Sequence, residues 1–154
     1  MELIKENKEK LRRVYKGANF YRKQWDFTNQ EWLDDHIDIM EEVRPGYIIN
    51  HGVEGGRMFI DTKIIEGTVA NTLPHTPEFV KSIYDFCLQN INETQPFAHG
   101  DWVLSNIIVQ GNSYELIDWD NVGVYQPNVV FDKLESDLRS AFGEKFDEML
   151  RTLA

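Results

Sequence analysis

His99-Gly100-Asp101-Trp102-Val103-Leu104-Ser105-Asn106-Ile107-Ile108-Val109, followed by Leu116-Ile117-Asp118-Trp119-Asp120, is the stretch on which the reading of this chain turns. Ile107–Val109 and Tyr114–Ile117 read as short strands on either side of Gln110-Gly111-Asn112-Ser113, a good β-turn composition. Asn106 and Asp118 fall at the borders of these strands, where backbone geometry is stiff. Asp101 lies five residues before Asn106, on the preceding loop. Mg²⁺ prefers hard oxygen ligands and is usually held by one or two carboxylates plus substrate phosphates, a role that suits Asn106 and Asp118. Asp101 is then placed to orient a hydroxyl and accept its proton. The bland alternative is a set of loop residues capping turns. Asp120 either supports a metal site or caps the next loop. Trp119, by strand alternation, points away from both acids and reads as packing.

Working outward, Glu2–Glu6 and Leu11–Lys16 read as a hairpin turning through the polar Asn7–Lys10, while Tyr21–Phe27 is ambiguous between element types. Thr28 or Asn29 can cap a helix carrying Leu33, Ile37 and Met40 on its apolar face, and Pro45-Gly46 stops that pattern. Tyr47–Asn50 and Arg57–Ile65 bracket the turn at Glu54-Gly55-Gly56. A second helix is predicted to start at Thr76-Pro77-Glu78 and to present Phe79, Ile83, Phe86 and Cys87, with the Asn90–Pro96 region breaking it. Phe131–Phe142 and a last segment through Phe146, Met149 and Leu150 follow helical spacing.

Composition bounds the function. The 154 residues include 26 acidic and 16 basic side chains, for a formal charge of −10. That balance argues against a nucleic-acid surface, which needs clustered lysine and arginine, and fits a cationic or neutral small substrate better. The single cysteine, Cys87, excludes an internal disulfide framework and reads as a buried thiol. No apolar run approaches the roughly 20 residues needed to span a bilayer, and the N-terminus lacks a signal-peptide core. The expectation is an intracellular, cytoplasmic protein with no membrane or nucleic-acid partner.

His-Gly-Asp with asparagine five positions on, then a hairpin and Ile117-Asp118-Trp119-Asp120, resembles the catalytic and metal loops of the aminoglycoside phosphotransferase and choline kinase superfamily. The resemblance is strong over residues 96–120 and diffuse over 11–70. It implies an α+β, protein-kinase-like two-lobed fold. An N-terminal lobe (1–67) would hold a small antiparallel sheet with one helix, and a short, mainly helical C-terminal lobe (68–154) would hold the β-hairpin. It further implies ATP and Mg²⁺ as cofactors, Asp101 as base, and Asn106 and Asp118 as metal ligands, with Asp120 a possible companion. His99, which the residues alone leave open between anchor and catalyst, becomes structural, as does Asp132.

From the same resemblance comes a lysine on an early strand, paired with a helical glutamate. Lys16 and Glu31 are the candidates by position, with Glu41 and Glu42 as rivals to the latter. Ile64, Ile65 and Glu66-Gly67 would lie near the adenine. Two departures stand out. The Asn7–Lys10 turn contains no glycine with which backbone amides could approach phosphates, which implies weak or unusual nucleotide affinity. Only 34 residues follow Asp120, so the acceptor pocket is expected to be shallow, supplied by a partner, or completed by a second copy in a homodimer or larger assembly.

The leading expectation is transfer of the ATP γ-phosphoryl group to a hydroxyl of a small molecule or saccharide. The alternative is a non-catalytic kinase-like scaffold, a pseudokinase. Metal-dependent phosphoester hydrolysis is disfavoured because His36, His51 and His75 share no ligand spacing.

Overall fold

Glu2–Asn7 (β1) and Arg12–Lys16 (β2) form the expected antiparallel hairpin, with Asn7 opposite Arg12 and Glu2 opposite Lys16. The tight turn between them holds Leu11 at a positive φ of 50° and is tied by Lys10 N–H donating to Asn7 Oδ1 at 3.1 Å. The ambiguous segment resolves as a third strand, Phe20–Trp25 (β3). Its alternation was masked in the sequence by the consecutive polar residues Arg22, Lys23 and Gln24. Asn29 caps the helix Gln30–Val43 (α1) by accepting the Trp32 N–H at 3.0 Å. Ile48–Glu54 (β4) and Arg57–Lys63 (β5) follow, giving a five-stranded antiparallel sheet in the order β1-β2-β3-β5-β4.

One face of this sheet is apolar and covered by α1: Trp25, Met58 and Ile60 pack with Leu33 and Ile37 of the helix. On the opposite face Arg22 reaches across to Asp61, Nε to Oδ1 at 2.7 Å and Nη2 to Oδ2 at 2.9 Å, while its guanidinium stacks 4.1 Å from the centre of the Phe59 ring. Asp61 is almost fully buried, so this two-pronged pair, which also raises the Arg22 pKa through the Asp61 hydrogen bond, satisfies a charge that would otherwise be costly there.

The computed structural model describes residues 1–153, and side chains as far as Arg151. It divides into two compact units, Met1–Ile64 and the chain from Ile65 onward. Ile65, Glu66 and Gly67 fall with the second unit. Gln110 Nε2 donates to the Glu66 carbonyl at 2.8 Å, and Gly67, at φ 145°, brings backbone close to Val109.

In the second unit Thr68–Val69 (β6) precedes a long helix, Pro77–Thr94 (α2), capped by Thr76 through the Phe79 N–H. The helix runs through the segment expected to break it. Val80, Ile83, Cys87, Ile91 and Thr94 form an unbroken buried stripe, so burial outweighs the weak helix propensity of Asn90 and Asn92. Phe97–Ala98 (β7), Ile107–Gln110 (β8), Ser113–Leu116 (β9) and Gly123–Val124 (β10) are short strands; β6-β8-β9 make one sheet and β7 pairs with β10. Pro127–Phe142 (α3) begins four residues before the expected start because Pro127 occupies its first turn. Lys145–Leu153 (α4) packs on α2 and α3 through the buried Phe146. Among the described residues, no helix is long and apolar enough to cross a membrane.

Two outcomes follow from this packing. Asp61→Ala, which leaves the Arg22 guanidinium only its 3.8 Å contact with the exposed Glu54, should lower unfolding free energy by about 2–4 kcal/mol in urea titrations. Burial pushes the Cys87 thiol up from 9.0 to about 12. The native protein should therefore resist thiol reagents until unfolded, and stability should fall as pH rises from about 9 towards about 12, where the unfolded thiol ionises and the folded one does not.

Candidate active site

The β8–β9 hairpin brings the two informative loops together. Ile107 pairs with Leu116, and just beyond that pair the Ile117 N–H donates to the Asn106 carbonyl at 2.9 Å. Asn106 and Asp118 therefore emerge side by side from one end of the hairpin. Asp118 has a positive φ of 60°, a conformation aspartate tolerates better than most residues and one found at functional turns.

His99 joins the loops from below. Its fully buried ring accepts the Asp101 N–H at Nδ1 (3.2 Å), which assigns the ring hydrogen to Nε2, and Nε2 donates to the Ile117 carbonyl at 2.8 Å. The ring is boxed edge-on by Trp102 and Trp119, with centroids at 6.3 and 4.7 Å. Both nitrogens hold backbone, so the geometry gives His99 an anchoring position. Trp119 is buried, its Nε1–H donating to the Leu116 carbonyl, in the packing role read from alternation.

Asn106 is nine-tenths buried, and its amide nitrogen serves Asp101 twice, donating to the backbone carbonyl and to Oδ2, each at 3.0 Å. The side-chain nitrogen is thereby committed and the carbonyl oxygen is the atom left to face a ligand. Asp118 follows Ile117, whose backbone pairs with Asn106, and Asp120 is two residues on, so the side chains these loops offer are hard-oxygen donors, a set whose chemistry fits Mg²⁺. Among the described residues, no cluster of three or more histidine, cysteine, aspartate or glutamate side chains forms a protein-only metal cage.

Gly100 makes the close approach possible. At φ 87° it lies against the Asn121 carbonyl and the Tyr125 hydroxyl, where any Cβ would collide, and Tyr125 itself donates to that Asn121 carbonyl at 2.6 Å. Beside this contact the β7–β10 pair walls a mostly apolar cavity of about 390 Å³ that includes Phe97, Ala98, Val124 and Tyr125.

The remaining expected residues lie as follows. Asp132 is exposed on α3; the acid that braces the loop from this helix is Asp137, whose Oδ2 accepts the Leu104 N–H at 2.7 Å. Glu66 is exposed, and its carbonyl already holds the Gln110 bond. Ile65 is half-buried beside it.

Lys16 ends β2 exposed, its ammonium 5.9 Å from the centre of the Tyr21 ring, and Glu31 is exposed in the first turn of α1. No contact among the described residues joins the two. Sequence reading passed over Lys23, which is half-buried in the middle strand between Val14 and Ile60 and shares the α1-covered face with Trp25. Recognising Tyr21, Lys23 and Trp25 as one strand face would have found it.

Gly100→Ala should cost well over ~1 kcal/mol, because it adds a steric clash to an unfavourable φ. Gly111→Ala, at φ 62° with open space around it, should cost only about 1 kcal/mol. Thermal unfolding of the two variants reads the difference.

No family model matches this chain, and no curated protein matches it. Solved structures do. Aminoglycoside phosphotransferase APH(3'')-Id from Streptomyces rimosus is 14% identical with a TM-score of 0.67, the match covering 99% of this chain and 84% of that one. Monomeric WbdD is 14% identical with a TM-score of 0.62, over 94% of this chain and 40% of that one; WbdD is elsewhere described as a bifunctional kinase-methyltransferase. This chain therefore spans well under half the length of WbdD and most of the length of the phosphotransferase. At such identities the likeness is one of fold: the chain has the protein-kinase-like fold of the aminoglycoside phosphotransferases, as the motif resemblance implied.

Proposed function

We propose that this chain is a Mg²⁺-dependent phosphotransferase that moves the ATP γ-phosphoryl group to a hydroxyl of a small molecule or saccharide. The observation that carries the reading is the Asn106 side chain, whose nitrogen is spent on Asp101, at the end of a hairpin whose other strand leads directly into Asp118. Asn106 and Asp118 would hold the cation, with Asp120 supporting, and when bound it supplies the positive charge that offsets the nucleotide phosphates.

The chain's own side chains account for the rest. Asp101, with Oδ2 fixed by Asn106, turns Oδ1 to an incoming hydroxyl, orients it and takes its proton. His99 holds the two loops in register and leaves the chemistry to Asp101. Within the first unit, Lys23 is favoured over Lys16 as the phosphate-binding lysine because it is central on the α1-bearing face of the sheet, and Glu31, Glu41 and Glu42 are the candidate acids of that helix. Ile65 and Glu66 contribute backbone to the adenine edge. The neighbours whose names include kinase and phosphotransferase support this class of reaction.

One observation favours the non-catalytic alternative: the β1–β2 turn has no glycine and holds Leu11 at positive φ, so it cannot lay bare amides against phosphates.

Calorimetric titration separates the readings. The wild type should bind ATP only with Mg²⁺, and Asp118→Asn should abolish that dependence. Lys23→Met should weaken binding about tenfold and Lys16→Met less. Asp101→Asn should keep nucleotide binding yet lower transfer by about 10²–10⁴-fold. Nucleotide binding by the wild type that is indifferent to both Mg²⁺ and Asp118→Asn would contradict the proposal.

A further inference from the structure

Helix α3 meets the catalytic loop through a mixed face. Val130, Leu134 and Leu138 are its buried residues, and alongside them Lys133 and Asp137, one turn apart, both reach the loop. Asp137 accepts the Leu104 N–H at 2.7 Å, which pins helix to loop. With that contact made, Lys133 Nζ stands 3.8 Å from Asp101 Oδ1. The other carboxylate oxygen is occupied by Asn106 at 3.0 Å. The oxygen left for an incoming hydroxyl is therefore the one with an ammonium beside it.

We propose that Lys133 selects the acceptor by charge, so that the site takes a hydroxyl flanked by a carboxylate or phosphate and rejects an amino-alcohol. This rests on the phosphotransfer reading and names its substrate class. The argument is local electrostatics against the overall balance. In a chain of net charge −10, with Asp101, Asp118 and Asp120 on adjoining loops and the Mg²⁺ of the phosphotransfer reading committed to the nucleotide phosphates, an anionic acceptor meets net repulsion unless a further cation stands at the point of reaction. Lys133 is the cation that the described contacts put there.

It is also free to change partner. The Lys133 and Asp101 side chains keep 53% and 30% of their exposure, and an ion pair so open to water is weakly held. The ammonium can leave Asp101 Oδ1 for an acceptor anion, which frees that oxygen for the hydroxyl proton. A cationic acceptor would meet like charge at the same spot, which sets discrimination by repulsion as well as attraction. A lysine that merely balanced Asp101 would leave the ranking of acceptors untouched.

The test uses matched short alcohols as probes: glycerate, glycerol and the amino-diol serinol, with hydrolysis of Mg·ATP by water as the background. For the wild type, kcat/KM should favour glycerate over serinol by about tenfold or more. Lys133→Glu should reverse that order, and Lys133→Arg should retain it, with unfolding midpoints unchanged in both. Equal rates on the three alcohols, or a ranking that Lys133→Glu leaves in place, would overturn the proposal while sparing phosphotransfer. Absence of any γ-phosphoryl release by the wild type, to water or alcohol, would overturn the phosphotransfer reading and this proposal with it.

Discussion

Everything distinctive about the second unit depends on one buried imidazole. His99 accepts the Asp101 amide and donates to the Ile117 carbonyl, so the loop that carries Asp101 and the loop that carries Asp118 are held by opposite edges of a single ring. Neither loop has regular secondary structure of its own at that point. A buried ring with both nitrogens engaged is costly to misplace, since each lost partner leaves a polar atom stranded in the interior. The consequence is a geometry for Asp101, Asn106 and Asp118 that depends on a neutral, structural group, and the flanking Trp102 and Trp119 keep water from competing for its bonds.

Around this latch the chain spends several unusual backbone choices within a short span. Gly100 and Asp118 both have positive φ, and Gly100 allows backbone and the Tyr125 hydroxyl to crowd where any other residue would clash. Asp137 then ties the loop to α3 from the other side. The loop is thus held at Ile117 just after β9, at Asn121 and Tyr125 flanking β10, and from α3, which is the kind of over-determination that strained conformations need in order to persist.

Much of this was legible in the sequence because the signals were local. The Asn29 cap, the Thr76-Pro77 helix start and the turn between β8 and β9 each declare themselves within a few residues. The Asp101–Asn106–Asp118 spacing is equally local, since all three flank one hairpin. What stayed hidden depends on tertiary register. Nothing near Asp132 reveals that the acid facing the loop is Asp137, because that choice is made by which face of α3 the buried Leu134 and Leu138 turn inward. Lys133 was invisible for the same reason. Lys23 was obscured differently: three successive polar residues hid a strand whose alternation becomes plain only when Trp25 is seen packed against Leu33 and Ile37.

The most direct measurement is a crystal structure of the protein grown with Mg²⁺ and a non-hydrolysable ATP analogue. The account predicts a cation bound to the Asn106 side-chain oxygen and the Asp118 carboxylate, with the Asn106 nitrogen still on Asp101 and His99 still bridging Asp101 to Ile117. A nucleotide held without metal, or a cation seated elsewhere while Asn106 turns away from Asp101, would contradict it.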